Sequence, residues 1–469
     1  MNNFLLLPLF ILGGLLYFSG LGWFISTLLV HNPNEHEAIE FSLIQKLPLQ
    51  IIVGMITNYG IMLIFQSIRT SLIIGSVFAI AGLIITIRNL VTSPTRFKLD
   101  NQTIGQWIGV IITSSVLLIP FLVEPISRYD ARTIWFFHSK MIYYAETIGL
   151  EAGWQNPFIN FSHRDYPNLV PGIASQISIV AGYWNEYLPK LSIYLVLIPG
   201  IMWIFSFAKN IFSFLALLAF IPFSFAPWLW NGYMDGLLAF FFCIALLMIG
   251  EYFRTLKPFY LTSALACLIL MMNIKNEGVL ALLSLLLGLV ISLLFVKQQV
   301  KPHELFKNYW KTIVGLVMLI IPFFIWSFYK QKWGLVNDLG IGSVVAFLRL
   351  FARIKEGTFS IILKSEFAEI IEQLVIFSLI LFASASWKIN LPKSVIPAVL
   401  TTSLYLLGIS VIYLITPRDL RWHLNTSVSR TMMTVNGGII VGWYVILENI
   451  EELRFSFRSK ITQARLEKG

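Results

Sequence analysis

Long apolar runs alternate with short polar breaks along nearly the whole chain. A helix rises about 1.5 Å per residue, so about 20 apolar residues cross a hydrocarbon layer of roughly 30 Å. On that measure spans are expected near Phe4–Val30, Leu49–Gln66, Ser71–Val91, Trp107–Val123, Tyr187–Ala208, Ile211–Trp228, Gly236–Gly250, Phe259–Met272, Val279–Val296, Thr312–Phe328, Ile370–Ala385, Ser394–Ile415 and Met432–Leu447. The first lacks the basic start and small-residue cleavage site of a removable signal, so it reads as a span. Only helices satisfy their own backbone in lipid without closing a barrel. The expected fold is therefore all-α, a polytopic membrane protein of about 13 transmembrane helices with one large outside loop.

Composition agrees with that pattern. The 469 residues are 57% hydrophobic and only 12% charged, against roughly a quarter charged in a soluble domain. Cys243 and Cys267 lie inside apolar segments, where they read as small hydrophobes. The net charge of +10 is spread over loops and a basic tail, which suits anionic membrane lipid and not nucleic acid. Alternation places Arg88, Arg96, Lys98, Lys209, Arg254, Lys257, Lys297–Lys311, Lys388, Lys393 and the tail inside, as the positive-inside rule expects; the acidic loop His31–Lys46 runs against it. The expected setting is a plasma (bacterial inner) membrane, crossed many times, with the C-terminus cytoplasmic. Three stretches are distinguished: a leading three-helix segment (1–106), a main membrane region (107–450) and a basic tail (451–469).

In this orientation four polar clusters share the outer side: Asp130–Tyr166, Asn231–Asp235, Asn273–Glu277 and Thr416–Arg430. Span centres are nearly free of charge, unlike most transporters, and no internal repeat is visible. The longest polar break, Glu124–Pro171, carries Asp130, Trp135, His138, Lys140, Trp154, His163, Asp165 and Tyr166. A carboxylate at a membrane exit between Arg128 and Arg132 can act as a base; Ser127 and Asp130 would equally form a capping box for a helix over Ala131–Tyr144. In HRDYPNLVP, Pro167 and Pro171 predict a turn into a short re-entrant or surface helix. Asp235 of NGYMDG either caps a span or joins a site. Lys275 of NIKNEG either snorkels to headgroups or holds a phosphate, with Glu277 two residues on. Arg418, Arg421, His423 and Arg430 form an outside loop suited to clamping a phosphate. Residues 340–364 predict an amphipathic helix in the interface plane. No nucleotide-binding glycine loop, HExxH zinc pattern or nucleophile elbow is present. His31 and His36 are spaced so that both rings cannot share one helix face.

The order RYDARTIWFFHSKMIYY, HRDYPNLVP, NGYMDGLLAF, NIKNEG, TPRDLRWHLNTSVSR resembles the membrane glycosyltransferases of the GT-C superfamily, relatives of the protein O-mannosyltransferases and the lipid A aminoarabinose transferase. The resemblance covers roughly Glu124 to Leu447. It implies an enzyme that moves one sugar from a polyprenyl-phosphate carrier to a glycan, lipid or protein acceptor outside the membrane, with inversion. Asp130 matches the acidic residue that acts as base in the family, although Ala131 stands where the family has a second acidic residue, a part that Asp165 or Glu277 could take. Lys275, Arg421, His423 and Arg430 would hold the donor phosphate, while Trp135, Lys140, His163, Asp165, Tyr166, Asp235 and Glu277 would bind sugar or acceptor. A divalent metal is compatible with such a loop, and no residues are assigned to one. The alternatives are a ligase or polymerase of diphosphate-linked glycans and a transporter of lipid-linked sugars.

Overall fold

A computed structural model of the chain describes residues 3–29, 41–92, 100–210, 213–215, 224–296, 302–335, 337, 343–387, 389 and 391–466. Among them fifteen α-helices succeed one another. They are α1 (Asn3–Leu29), α2 (Leu43–Phe65), α3 (Ile68–Thr92), α4 (Asn101–Val123), α5 (Phe136–Ala145), α6 (Leu169–Ala181), α7 (Leu191–Ser206) and α8 (Asp235–Thr255). The rest are α9 (Pro258–Ile274), α10 (Glu277–Val296), α11 (Pro302–Trp333), α12 (Val344–Lys355), α13 (Phe359–Ser386), α14 (Val395–Ile415) and α15 (Leu420–Leu466). Eleven are long and apolar enough to cross a bilayer, which makes this an all-α, multi-pass membrane protein. The span expected over 211–228 falls mostly outside the described residues; of those described, 213–215 and 224–225 are helical and 226–228 are turn. The one expected over Phe259–Met272 is α9, an apolar helix of 17 residues, at the short limit of what crosses a bilayer. The His31–His36 pair also lies outside the described residues.

The chain folds as two compact units, one of Met1–Ile244, Leu265–Leu282 and Val300–Gly340, the other of Ala245–Ala264, Leu283–Gln299 and Ile341–Gly469. In the first, α1, α2 and α3 pack through glycines. A Cβ on Gly54 would lie 1.8 Å from the Phe18 carbonyl oxygen, and one on Gly22 would lie 1.9 Å from that of Gln50. Lipid supplies no hydrophobic drive between helices, so small residues that let backbones touch supply the packing. Gly54→Val is expected to lower the unfolding temperature in micelles, because the clash is with backbone and overpacking already costs roughly 1–3 kcal/mol where side chains can yield. Gly13→Ala, with nothing within 4 Å of its Cβ, is the control that should leave it unchanged.

These leading helices are tied into the rest of the first unit. Asn58 of α2, fully buried, accepts from Tyr17 Oη (2.7 Å) and exchanges amide bonds with Gln176 of α6 (2.9 and 3.1 Å). Tyr59 Oη accepts from the Asn168 backbone amide at 3.1 Å, and the Ile148 amide donates to Gln66 O at 3.0 Å. The described helices of this leading segment are thus hydrogen-bonded to the stretch 148–176 within the first unit.

In the second unit, the amphipathic stretch is α12, started by Ser343 accepting from Ala346 N (3.1 Å) and ended near Gly357 at φ +72°. Its apolar side, Val344, Phe347, Leu348 and Phe351, is exposed. Its arginines face the end of α14: Arg349 donates to Ile415 O (2.7 Å), and Arg353 to Tyr413 O (2.8 Å) and Arg418 O (3.1 Å). The last carbonyls of a helix lack intrahelical donors, and two guanidinium groups supply them here.

Candidate functional site

The first unit gathers residues from four separate stretches around Tyr166. The loop before α6 turns sharply at His163, which sits in the left-handed region (φ +50°), and this folds His163 back onto Tyr166. The two rings stack at 5.1 Å and 10°. Tyr166 also stacks on Trp135, at 5.2 Å and 11°, so the three rings form a pile. Trp135 ends the π-helical turn Ala131–Trp135, closed by the Phe136 amide donating to Ala131 O. The turn precedes α5, and π-turns inside helical segments recur at functional sites. Asp130 immediately precedes that turn, half-buried, and makes no side-chain cap to it.

Gly232 fixes where the next loop runs. Its φ of +93° favours glycine, and a Cβ there would lie 2.6 Å from the Ala131 side chain. The NGYMDG loop can thus lie against the residue beside Asp130, with Asp235 as the first residue of α8. Across from it α9 ends at Ile274 and α10 starts at Glu277. A Cβ on Gly278 would meet Met271 backbone at 2.3 Å, so the crossing is closed to larger residues.

The ammonium of Lys275 lies between Asp235 Oδ1 (2.9 Å) and Glu277 Oε1 (2.8 Å), with side-chain exposures of 9%, 7% and 21% in that order. Lys275 does not snorkel, because two carboxylates hold it inside. Asp165, 2% exposed, is held separately: Oδ2 accepts from the amide groups of Asn276 (2.7 Å) and Asn337 (2.9 Å), and its backbone carbonyl from Trp326 Nε1 (3.2 Å). Burial raises the Tyr166 phenol well above its ordinary pKa, and Glu277, Asp165 and Asp235 raise it further against an opposing effect of Lys275. All four charges therefore lie within electrostatic reach of one hydroxyl. It stays protonated at physiological pH.

Three carboxylates and the Lys275 ammonium surround Tyr166, and Lys330 is a second ammonium within electrostatic reach of Asp165. One carboxylate oxygen of this cluster has no protein partner: Glu277 Oε2 is buried and unbonded. An ionised oxygen held by a neighbouring cation and lacking a donor is placed to accept from a hydroxyl or ammonium group of a ligand. Lys275 fills the position between Asp235 and Glu277 that a divalent ion would need. Among the described residues no group of three or more His, Cys, Asp and Glu side chains is arranged to hold one.

Other expected residues stand elsewhere. Lys140 pairs with Glu186 at 2.7 Å and lies 5.7 Å from the centre of the Trp184 ring. Trp154 is fully buried, donating to Ile148 O (3.0 Å) and packed edge-on against His138 and Trp326, so it is core and not an open face. His138 is likewise core: Nδ1 donates to Asn168 Oδ1 (3.0 Å), Nε2 faces Ser162 Oγ (3.2 Å), and burial depresses its pKa to about 4. The unfolded chain binds the extra proton below its own pKa of about 6.5, so stability should fall as pH drops from about 6.5 to 4, by about 3 kcal/mol from this group. Unfolding measured across that range should show a shallower fall for His138→Gln.

In the second unit, Thr416–Arg430 is a loop only as far as Asp419. Asp419 Oδ1 accepts from Trp422 N (2.8 Å) and opens α15 at Leu420. Arg421, His423 and Arg430 therefore lie on a helix. At 100° per residue His423 and Arg430 share a face while Arg421 points to the opposite one. His423 packs edge-on against Tyr413 (5.1 Å, 69°), and its Nδ1 is buried without a partner. Arg418 lies over the Trp422 ring at 5.4 Å.

Sequence reasoning misses Asn276, Asn337 and Trp326, which hold Asp165. Asn276 stands inside NIKNEG beside the two residues singled out, whereas nothing local marks Asn337. In comparisons with known proteins, the chain matches no family model, no curated protein and no solved structure.

Proposed function

We propose that this protein is a membrane glycosyltransferase that moves a single sugar from a polyprenyl-phosphate carrier to an acceptor on the outer side of the membrane. The observation that carries the reading is the gathering of His163–Tyr166, Trp135, Asp235 and Lys275–Glu277 around one protonated phenol; Asp130 precedes the turn that carries Trp135. Four stretches distant in sequence contribute acids, amides and stacked rings to one place, as the binding of a polyhydroxylated group requires.

In this mechanism the acceptor hydroxyl is bound by Glu277 Oε2 and the Tyr166 hydroxyl and loses its proton to Asp130. The acceptor oxygen attacks the anomeric carbon while the bond from that carbon to the carrier phosphate breaks, so the electron pair and negative charge leave on polyprenyl phosphate. Fixed positive charge helps most at that departing phosphate. Lys275, already shared by two carboxylates, becomes a positioning residue and not a phosphate ligand. The leaving group is already a phosphate, so no nucleotide is consumed.

The test is to incubate the protein in membranes with separate mono- and diphosphate-linked sugar carriers and identify the released lipid by mass spectrometry. Release of polyprenyl monophosphate from a monophosphate carrier, with acceptor glycosylated, is expected. Release of diphosphate alone would identify a ligase or polymerase. Movement of an intact lipid-linked sugar across the bilayer without cleavage would identify a transporter, and either result overturns the proposal.

A further inference from the structure

Glu366 belongs to no part of the site described above, yet it is a carboxyl buried at 1% exposure in a helix that otherwise faces outward, within the stripe Ile362, Glu366 and Ile370. Its Oε2 lies 2.7 Å from Ser410 Oγ on α14, and its Oε1 is buried with no hydrogen-bond partner. Ser410 Oγ also lies 3.1 Å from the Leu406 carbonyl oxygen. A serine hydroxyl has one proton and cannot give it to both oxygens in full.

We propose that Glu366 is a proton-binding site set two turns inside its span, with the proton on Oε2 donated to Ser410 Oγ, which then donates to Leu406 O. Both short contacts are satisfied together in that arrangement. Oε1 becomes an ordinary carbonyl oxygen, which tolerates lacking a donor far better than half of an ionised carboxylate does in an apolar interior. The titratable and charged groups offered by the described residues of the helices packed against α13 are Tyr405 and Tyr413 of α14, and Arg421, His423, Arg430, Tyr444 and Glu448 of α15; neither Glu366 oxygen takes a hydrogen bond from any of them. Loss of the proton leaves a bare carboxylate that requires a new donor. Tyr413 is the candidate, one turn beyond Ser410 on the same face and now bonded to Ser427 Oγ and Thr431 Oγ1 at 2.9 Å each. Release of one proton from Glu366 to water is thereby linked to rearrangement of the Tyr413–Ser427–Thr431 contacts between α14 and α15.

Infrared difference spectra of the full chain in lipid nanodiscs test this, comparing wild type with Glu366→Gln and Ser410→Ala at neutral pH. The carbonyl stretch of one protonated carboxylic acid is expected in wild type. It should be lost in Glu366→Gln and shifted to higher frequency in Ser410→Ala, where the acid loses its acceptor. A wild-type minus Glu366→Gln spectrum showing only carboxylate bands would overturn the proposal. So would a protonated-acid band that Ser410→Ala leaves unmoved, which keeps the test decisive if Glu366→Gln does not fold.

Discussion

Lys275→Met should destabilise the folded protein by about 3–5 kcal/mol, the cost of removing one partner from a buried ion pair. The ammonium is held at 2.9 Å from Asp235 and 2.8 Å from Glu277, with side-chain exposure of 9%. Its removal strands two carboxylates where water reaches them poorly. Asp235→Asn or Glu277→Gln should each cost less, since Lys275 keeps one carboxylate. The triple variant should recover much of the loss, because replacing a whole buried charge cluster is far cheaper than breaking it. Denaturant unfolding in micelles measures all four. A Lys275→Met protein as stable as wild type would show that the ammonium does not hold these loops together.

The second large effect is on activity. Asp130→Asn should bind the lipid-linked donor as wild type does and lower the transfer rate by about 10²–10⁴-fold, the range for loss of a positioned base. Asparagine keeps the shape and removes the proton acceptor. Glu277→Gln should act differently, weakening acceptor binding, because Glu277 Oε2 is the unpartnered carboxylate oxygen of the cluster and an amide placed there is a poorer acceptor. Saturation curves in each substrate separate the two roles. Should Glu277→Gln abolish the rate while Asp130→Asn leaves it intact, the base is Glu277 and the roles exchange.

Much of this is legible along the chain, and the rest is hidden for physical reasons. Apolar run length marks spans well because hydrocarbon thickness sets it, which is why α1 to α4 fall close to their expected positions. The NIKNEG and NGYMDG stretches are marked by charges at span ends, but their pairing through Lys275 depends on a crossing of α8, α9 and α10 that no local pattern encodes. Polarity alone makes Thr416–Arg430 look like a loop. Asp419, two residues after Pro417, is the local signal to the contrary, since an aspartate ahead of a polar run is a helix cap as readily as a turn. Trp154 and His138 look like binding residues because they sit in a polar stretch; burial is a tertiary property, and each finds its partners inside the fold. The amide cradle of Asp165 is invisible for the same reason, with Asn337 coming from 172 positions away.

The most direct measurement uses the purified full chain in nanodiscs, a monophosphate polyprenyl donor labelled at the anomeric carbon, and wild type beside Asp130→Asn. One labelled sugar per donor should appear on the acceptor with inverted configuration as polyprenyl monophosphate is released, and Asp130→Asn should bind the donor without releasing it. Failure of wild type to cleave any monophosphate donor, or equal cleavage by Asp130→Asn, would contradict the account.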